Sequence, residues 1–208
     1  MVERVYQKVM STEQINAYCQ SIQQLIQGER EDQDLCLVKQ SGWIAVCAED
    51  DSRYYGEDNF SRFASTFQKH GSDQFIALSW SQQPPHALIV PSTLEGFSQF
   101  SMQRSMWDVL FPYTLDWLFL LAPTMDLIIV AGPPDFVQDL FGCNVREVFN
   151  DILDRSESKY LHPTYCRYLK SLVQKLEVEY PKLKHGDKLD LSFPEVPEEE
   201  KLWKRPRS

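Results

Sequence analysis

The sequence predicts an α+β fold: a central, mostly antiparallel sheet of about six strands in repeated β-hairpin-plus-helix units, with an N-terminal helix and two or three C-terminal helices. Three observations carry this expectation. Short apolar runs of strand length occur in pairs separated by a few turn-forming residues, which favours antiparallel neighbours. Each pair is followed by a segment whose apolar residues recur at helical spacing. The 208-residue chain, at 43% apolar and 12% aromatic, can cover such a sheet with helices without disulfides or metals.

The elements follow in chain order. Ile15, Tyr18, Cys19, Ile22, Leu25 and Ile26 share one face of a helix over residues 12–27, with Ser11 and Gln14 as a capping box and Gly28 as the stop. Residues 35–39 and 43–48 are apolar on both faces; joined through Gln40, Ser41 and Gly42, they read as a hairpin placed centrally in the sheet. Phe60, Phe63, Ala64 and Phe67 mark a second helix ending near Gly71. Residues 74–80 and 87–90 form the next pair of strands, joined through Gln82, Gln83, Pro84 and Pro85, a connection in which the prolines bar ladder pairing. Ser92 and Glu95 offer a capping box for a third helix, and the apolar stretch 106–113 ends at Pro112 without a decisive period.

Residues 117–121 and 127–131 make the third pair. Pro133 and Pro134 suit the first turn of a helix that buries Phe136, Val137, Leu140 and Phe141 and closes at Gly142. Asn144 with Glu147 caps a helix whose stripe is Val145, Val148, Phe149, Ile152 and Leu153. The last helix, over residues 163–180, places Tyr165, Tyr168, Leu169, Leu172, Val173 and Leu176 on one side. Residues 1–181 therefore read as a single domain, and residues 182–208 as a charged, proline-containing tail. In architecture, this order of elements resembles the sensory domains of the GAF and PAS type. That resemblance implies a small-molecule pocket between sheet and helices, although the Cys-His pair that ligates a bilin is absent.

Charge is unevenly spread. Of a net −9, a balance of −6 falls between residues 31 and 58, where Glu31, Asp32, Asp34, Glu49, Asp50, Asp51, Glu57 and Asp58 face only Lys39 and Arg53. Residues 49–58 join an apolar strand to an amphipathic helix and bring carboxylates together with Tyr54 and Tyr55. We expect Glu49, Asp50, Asp51, Arg53, Tyr54, Tyr55, Glu57 and Asp58 to form a partner-binding loop, since Tyr and Arg are enriched at interface hot spots and carboxylates steer a basic partner. The same acidity disfavours nucleic acid, whose phosphates require clustered Lys and Arg. An odd, widely spaced set of five cysteines points to a reducing, cytoplasmic setting rather than a disulfide framework. The most apolar window, residues 117–131, is interrupted by Pro123 and Asp126, so no membrane segment is expected.

Motifs for chemistry are sparse. The run from Ile128 through Gly132, Pro133, Pro134 and Asp135 resembles the nicotinamide-side motif of ferredoxin-reductase-like flavoenzymes, but no glycine-rich pyrophosphate turn or flavin-anchoring segment accompanies it. It reads as a strand-to-helix junction. His162 and Cys166, four residues apart, could share a helix face and activate the thiol; the alternative is a packed cysteine beside a helix cap. His70, His86, His162 and His185 have no metal-binding spacing, and no cofactor is expected. Trp80, Trp107, Trp117 and Trp203 are candidates for lining a pocket or for the core. The functional expectation is a non-catalytic, cytoplasmic protein-binding or regulatory protein, comparable in its charge to toxin-neutralising immunity proteins. A sensory domain is the first alternative and an enzyme without a recognisable short motif the second.

Overall fold

The computed structural model describes residues 10–27, 37–38, 40–49, 57–79, 84–101, 109–122, 127–143 and 145–179. They form an α+β architecture. The helices are α1 (Thr12–Leu25), α2 (Glu57–Lys69), α3 (Leu94–Ser101), α4 (Pro134–Phe141), α5 (Val145–Ser156) and α6 (Pro163–Glu179). The strands are β1 (Ile26–Gln27), β2 (Leu37–Val38), β3 (Ile44–Glu49), β4 (Gln74–Ser79), β5 (His86–Pro91), β6 (Val109–Phe111), β7 (Leu118–Ala122) and β8 (Leu127–Gly132). A six-stranded sheet in the order β3-β8-β7-β6-β4-β5 is antiparallel throughout, and β1 and β2 form a separate antiparallel pair.

The expected hairpins β4–β5 and β7–β8 form, with registers such as Phe75 to Val90 and Phe119 to Val130. The first one does not. Its turn closes, Trp43 N–H donating to the Gln40 carbonyl with Gly42 at φ 83°, but β2 leaves to pair with β1, and β3 pairs with β8 instead. Pairing the apolar six-residue runs Ile44–Glu49 and Leu127–Gly132 along their full length buries more than a two-residue partner could. Consequently β3 is a sheet edge among the described residues rather than a central strand, and its faces are covered by α4 and α5. The sixth strand is β6, from the stretch without a decisive period.

Alternation along the strands sorts side chains onto two faces. Phe75, Leu110, Phe119, Val130 and Val46 point toward α2, α3 and α4, where the largest buried residues gather. Phe67 is the hub: its ring lies 4.1 Å from Trp117, 5.3 Å from Phe97, 5.4 Å from Phe75 and 6.1 Å from Phe136. On the opposite face Tyr18 of α1 meets Phe111 at 5.0 Å, and Arg155 of α5 pairs with Glu49.

Local signals explain the element ends. Ser11 and Gln14 make the reciprocal capping box, at 3.0 and 3.3 Å. Pro134 opens α4 and Gly142, at φ 64°, closes it. Helix α3 is capped one residue later than the sequence suggests. Thr93 Oγ1 accepts the Gly96 N–H at 3.0 Å, whereas Ser92 is buried and its hydroxyl has no partner among the described residues. Ser92 N–H instead extends the β4–β5 ladder to the Asp73 carbonyl, which passes the cap to the next hydroxyl. The tail from residue 182, the Asn144 cap, and Trp80, Trp107 and Trp203 lie outside the described residues.

Candidate functional site

The registers define two ends of the sheet. Ile44, Gly132, Leu118, Phe111 and Gln74 stand at one; Glu49, Leu127, Val109 and Ser79 stand at the other. Glu49, the last residue of β3, is thus at the second end. Of the eight expected contact residues, Asp50, Asp51, Arg53, Tyr54 and Tyr55 lie outside the described residues. Glu57 opens α2. Asp58 sits in its first turn with an exposed side chain, where a negative charge also complements the helix dipole. Glu49 has a different environment. Its carboxylate faces the same side of the sheet as Cys47 and is ion-paired with Arg155, both side chains being largely covered. The Arg155 guanidinium lies 5.9 Å from the Tyr165 ring, so this one group ties β3, α5 and α6 together. Glu49 thus has a structural partner that the sequence, with the two residues far apart, did not signal.

Cys47 is an unreactive neighbour: burial first, and the Glu49 carboxylate second, push its thiol well above the usual range. Cys166 is buried, its thiol directed to the carbonyls of Ser158 and Leu161 at 3.7 and 4.0 Å. His162 acts at the start of α6: its carbonyl accepts from Tyr165 and Cys166, and its Nδ1 accepts the Thr164 N–H. The pair is therefore a packed cysteine and a helix cap. The Gly-Pro-Pro stretch is likewise structural, because a side chain at Gly132 would meet Phe136 and Trp117 at 3.0 Å.

A polar interlock joins α2 to α4. Asp139 Oδ2 accepts from Lys69 Nζ at 2.7 Å and contacts His70 Nε2 at 2.8 Å, while the His70 ring stands edge-on to Phe136 at 5.3 Å. Hydrogen bonds from Lys69, then His70, hold the Asp139 carboxyl below the ordinary carboxylate value. Among the described residues, no group of three or more His, Cys, Asp and Glu is arranged to hold a metal ion.

At the other end lies an open cleft of about 450 Å³, bounded by the Gly71–Gln74 turn and the Pro112–Thr114 turn. Both walls are fixed. Leu115 N–H closes a turn onto the Pro112 carbonyl, and Leu115 adopts φ 57°, the left-handed region that is costly for a residue with a branched side chain. Tyr18 Oη donates to the Tyr113 carbonyl at 3.3 Å, and Trp117, just beyond, stacks on Phe136 at 4.9 Å. Across the cleft, Gly71 takes φ 79° and the Asp73 carbonyl accepts from Ser92. Tyr113 is 46% exposed. Sequence reasoning missed this site because its two turns are about 40 residues apart and neither carries a motif.

The fold class is that of an α+β protein whose six-stranded antiparallel sheet is covered by helices. Comparison with protein-family models, curated proteins and solved structures gave no match. No described helix is long and apolar enough to cross a membrane.

Proposed function

We propose that this chain is a non-catalytic, cytoplasmic regulatory protein that binds a basic protein partner through the acidic connection between β3 and α2. The observation that carries the reading is the charge distribution: −6 of the net −9 falls in residues 31–58, and that stretch leads into the exposed Asp58 at the start of α2. A concentrated negative field raises encounter rates with a positive surface and repels nucleic acid. Tyr54, Tyr55 and Arg53 supply the residue types that anchor interfaces, and Asp50, Asp51, Glu57 and Asp58 supply the field. Glu49, held by Arg155, contributes to the fold rather than to the contact. The odd number of dispersed cysteines favours the reducing compartment.

The sensory alternative requires space between sheet and helices. That region is filled by Phe63, Phe67, Phe75, Phe97, Trp117 and Phe136, each at most 1% exposed. His70, His162 and Cys166, the His and Cys that could have favoured the catalytic alternative, respectively interlock, cap and pack.

The test is calorimetric. An oligo-arginine peptide stands in for the basic surface and is titrated into the wild type and into a variant carrying D50N, D51N, E57Q and D58N at several salt concentrations. The variant is expected to bind at least about tenfold more weakly, with a shallower salt dependence. Equal affinity of the two proteins would overturn the proposal. Substituting Glu49 in the same variant would confuse the result by breaking its ion pair with Arg155.

A further inference from the structure

We propose that the cleft between the Gly71–Gln74 and Pro112–Thr114 turns binds a small organic cation, a free alkylguanidinium or alkylammonium compound, between Asp73 and the Tyr113 ring. The site lies at the opposite end of the sheet from Glu49 and does not depend on the partner-binding reading. Its volume of about 450 Å³ falls within the size range of small-ligand sites.

The charge at the cleft selects the class of ligand. Lys69 and His70, the basic residues immediately before the first wall, are both engaged by Asp139. Asp73, exposed and lining the cleft, forms no ion pair among the described residues. Asp116, exposed just beyond the second wall, adds to the negative potential. An exposed carboxylate and an exposed phenol lining one cleft are a combination that attracts an organic cation, through Coulomb attraction to one and the ring quadrupole of the other. An anion would meet repulsion, and a neutral ligand would gain little.

Preorganisation is the second argument. The Tyr113 wall is held on one side by the Tyr18 hydroxyl and on the other by Trp117, with Leu115 kept in a left-handed conformation between them. The Asp73 wall is held by the Ser92 bond and by the interlock that fixes His70. Neither wall needs ordering when a ligand arrives, which removes one of the main costs of binding.

Ethylguanidinium and its neutral isostere ethylurea are the probes, titrated into the full chain at low ionic strength and followed by amide chemical shifts. Ethylguanidinium is expected to produce saturable shifts confined to Gly71, Ser72, Asp73, Tyr113 and Thr114, and ethylurea none. D73N is expected to weaken binding about tenfold and Y113L a few-fold. Both side chains are exposed and neither makes a fold-holding bond; if Y113L nevertheless loses its native spectrum, D73N alone decides. Equal shifts with ethylurea, shifts scattered over acidic residues such as Asp58, or unchanged affinity in D73N would overturn the assignment. So would clearly tighter binding of N-acetyl-arginine-methylamide than of the free compound, because the cation would then be a side chain of a polypeptide.

Discussion

Gly96 shows how tightly one residue can be constrained. A Cβ built there would lie 2.2 Å from the Pro91 carbonyl oxygen, a backbone atom that cannot swing aside. Helix α3 can rest on the end of β5 only because this position has no side chain. G96A is therefore expected to cost about 2–3 kcal/mol through overpacking, seen as a lower urea midpoint with an unchanged slope. A variant as stable as wild type would mean that α3 sits farther from β5. Asp139 makes a smaller and pH-dependent contribution. Because its folded pKa lies below its unfolded value, its stabilisation is complete above the unfolded carboxylate value and is lost as pH falls through the folded one. Being partly exposed, it is worth only about 0.5–1 kcal/mol at neutral pH. D139N should be less stable by that amount at pH 7, and the difference should vanish in acid; a constant difference across the range would count against the interlock.

Among the elements, α2 dominates the core. Phe60, Phe63 and Phe67 were readable as one face from their spacing, and the structure buries all three against the sheet and α3. Removing the hub ring in F67A is expected to cost about 3–5 kcal/mol, while F67L, which keeps most of the volume, should cost about 1 kcal/mol. Similar losses in both variants would show that the aromatic cluster has no special packing at Phe67. The helices and the two later hairpins were legible because period and turn chemistry agree in them. The first hairpin misled for a physical reason: uniformly apolar strands such as 44–48 carry no alternation, so their sequence does not fix which partner they choose. Strand β6, three residues long, is too short to show any period. At the candidate sites, only the acidic character of residues 31–58 could be read. The Glu49–Arg155 pair and the placing of Asp73 and Tyr113 on one cleft depend on strand order, and no local pattern encodes it.

For the whole molecule, the antiparallel sheet sets Glu49, the last residue of β3, at one end and the cleft beside Asp73 at the other. A buried aromatic layer packs on the sheet between those ends. On the two proposals, a basic macromolecular partner and a small cation would occupy the chain together, each drawn by its own carboxylates. The net charge of −9 makes both interactions sensitive to ionic strength, but only the larger, multiply charged one should show a steep dependence. The most direct check of the partner-binding claim is an amide-resolved NMR titration of the full chain with an oligo-arginine peptide. The largest shifts should fall within residues 50–58 and disappear on adding salt. Shifts spread evenly over all exposed carboxylates, or concentrated at the Asp73 cleft, would contradict the claim.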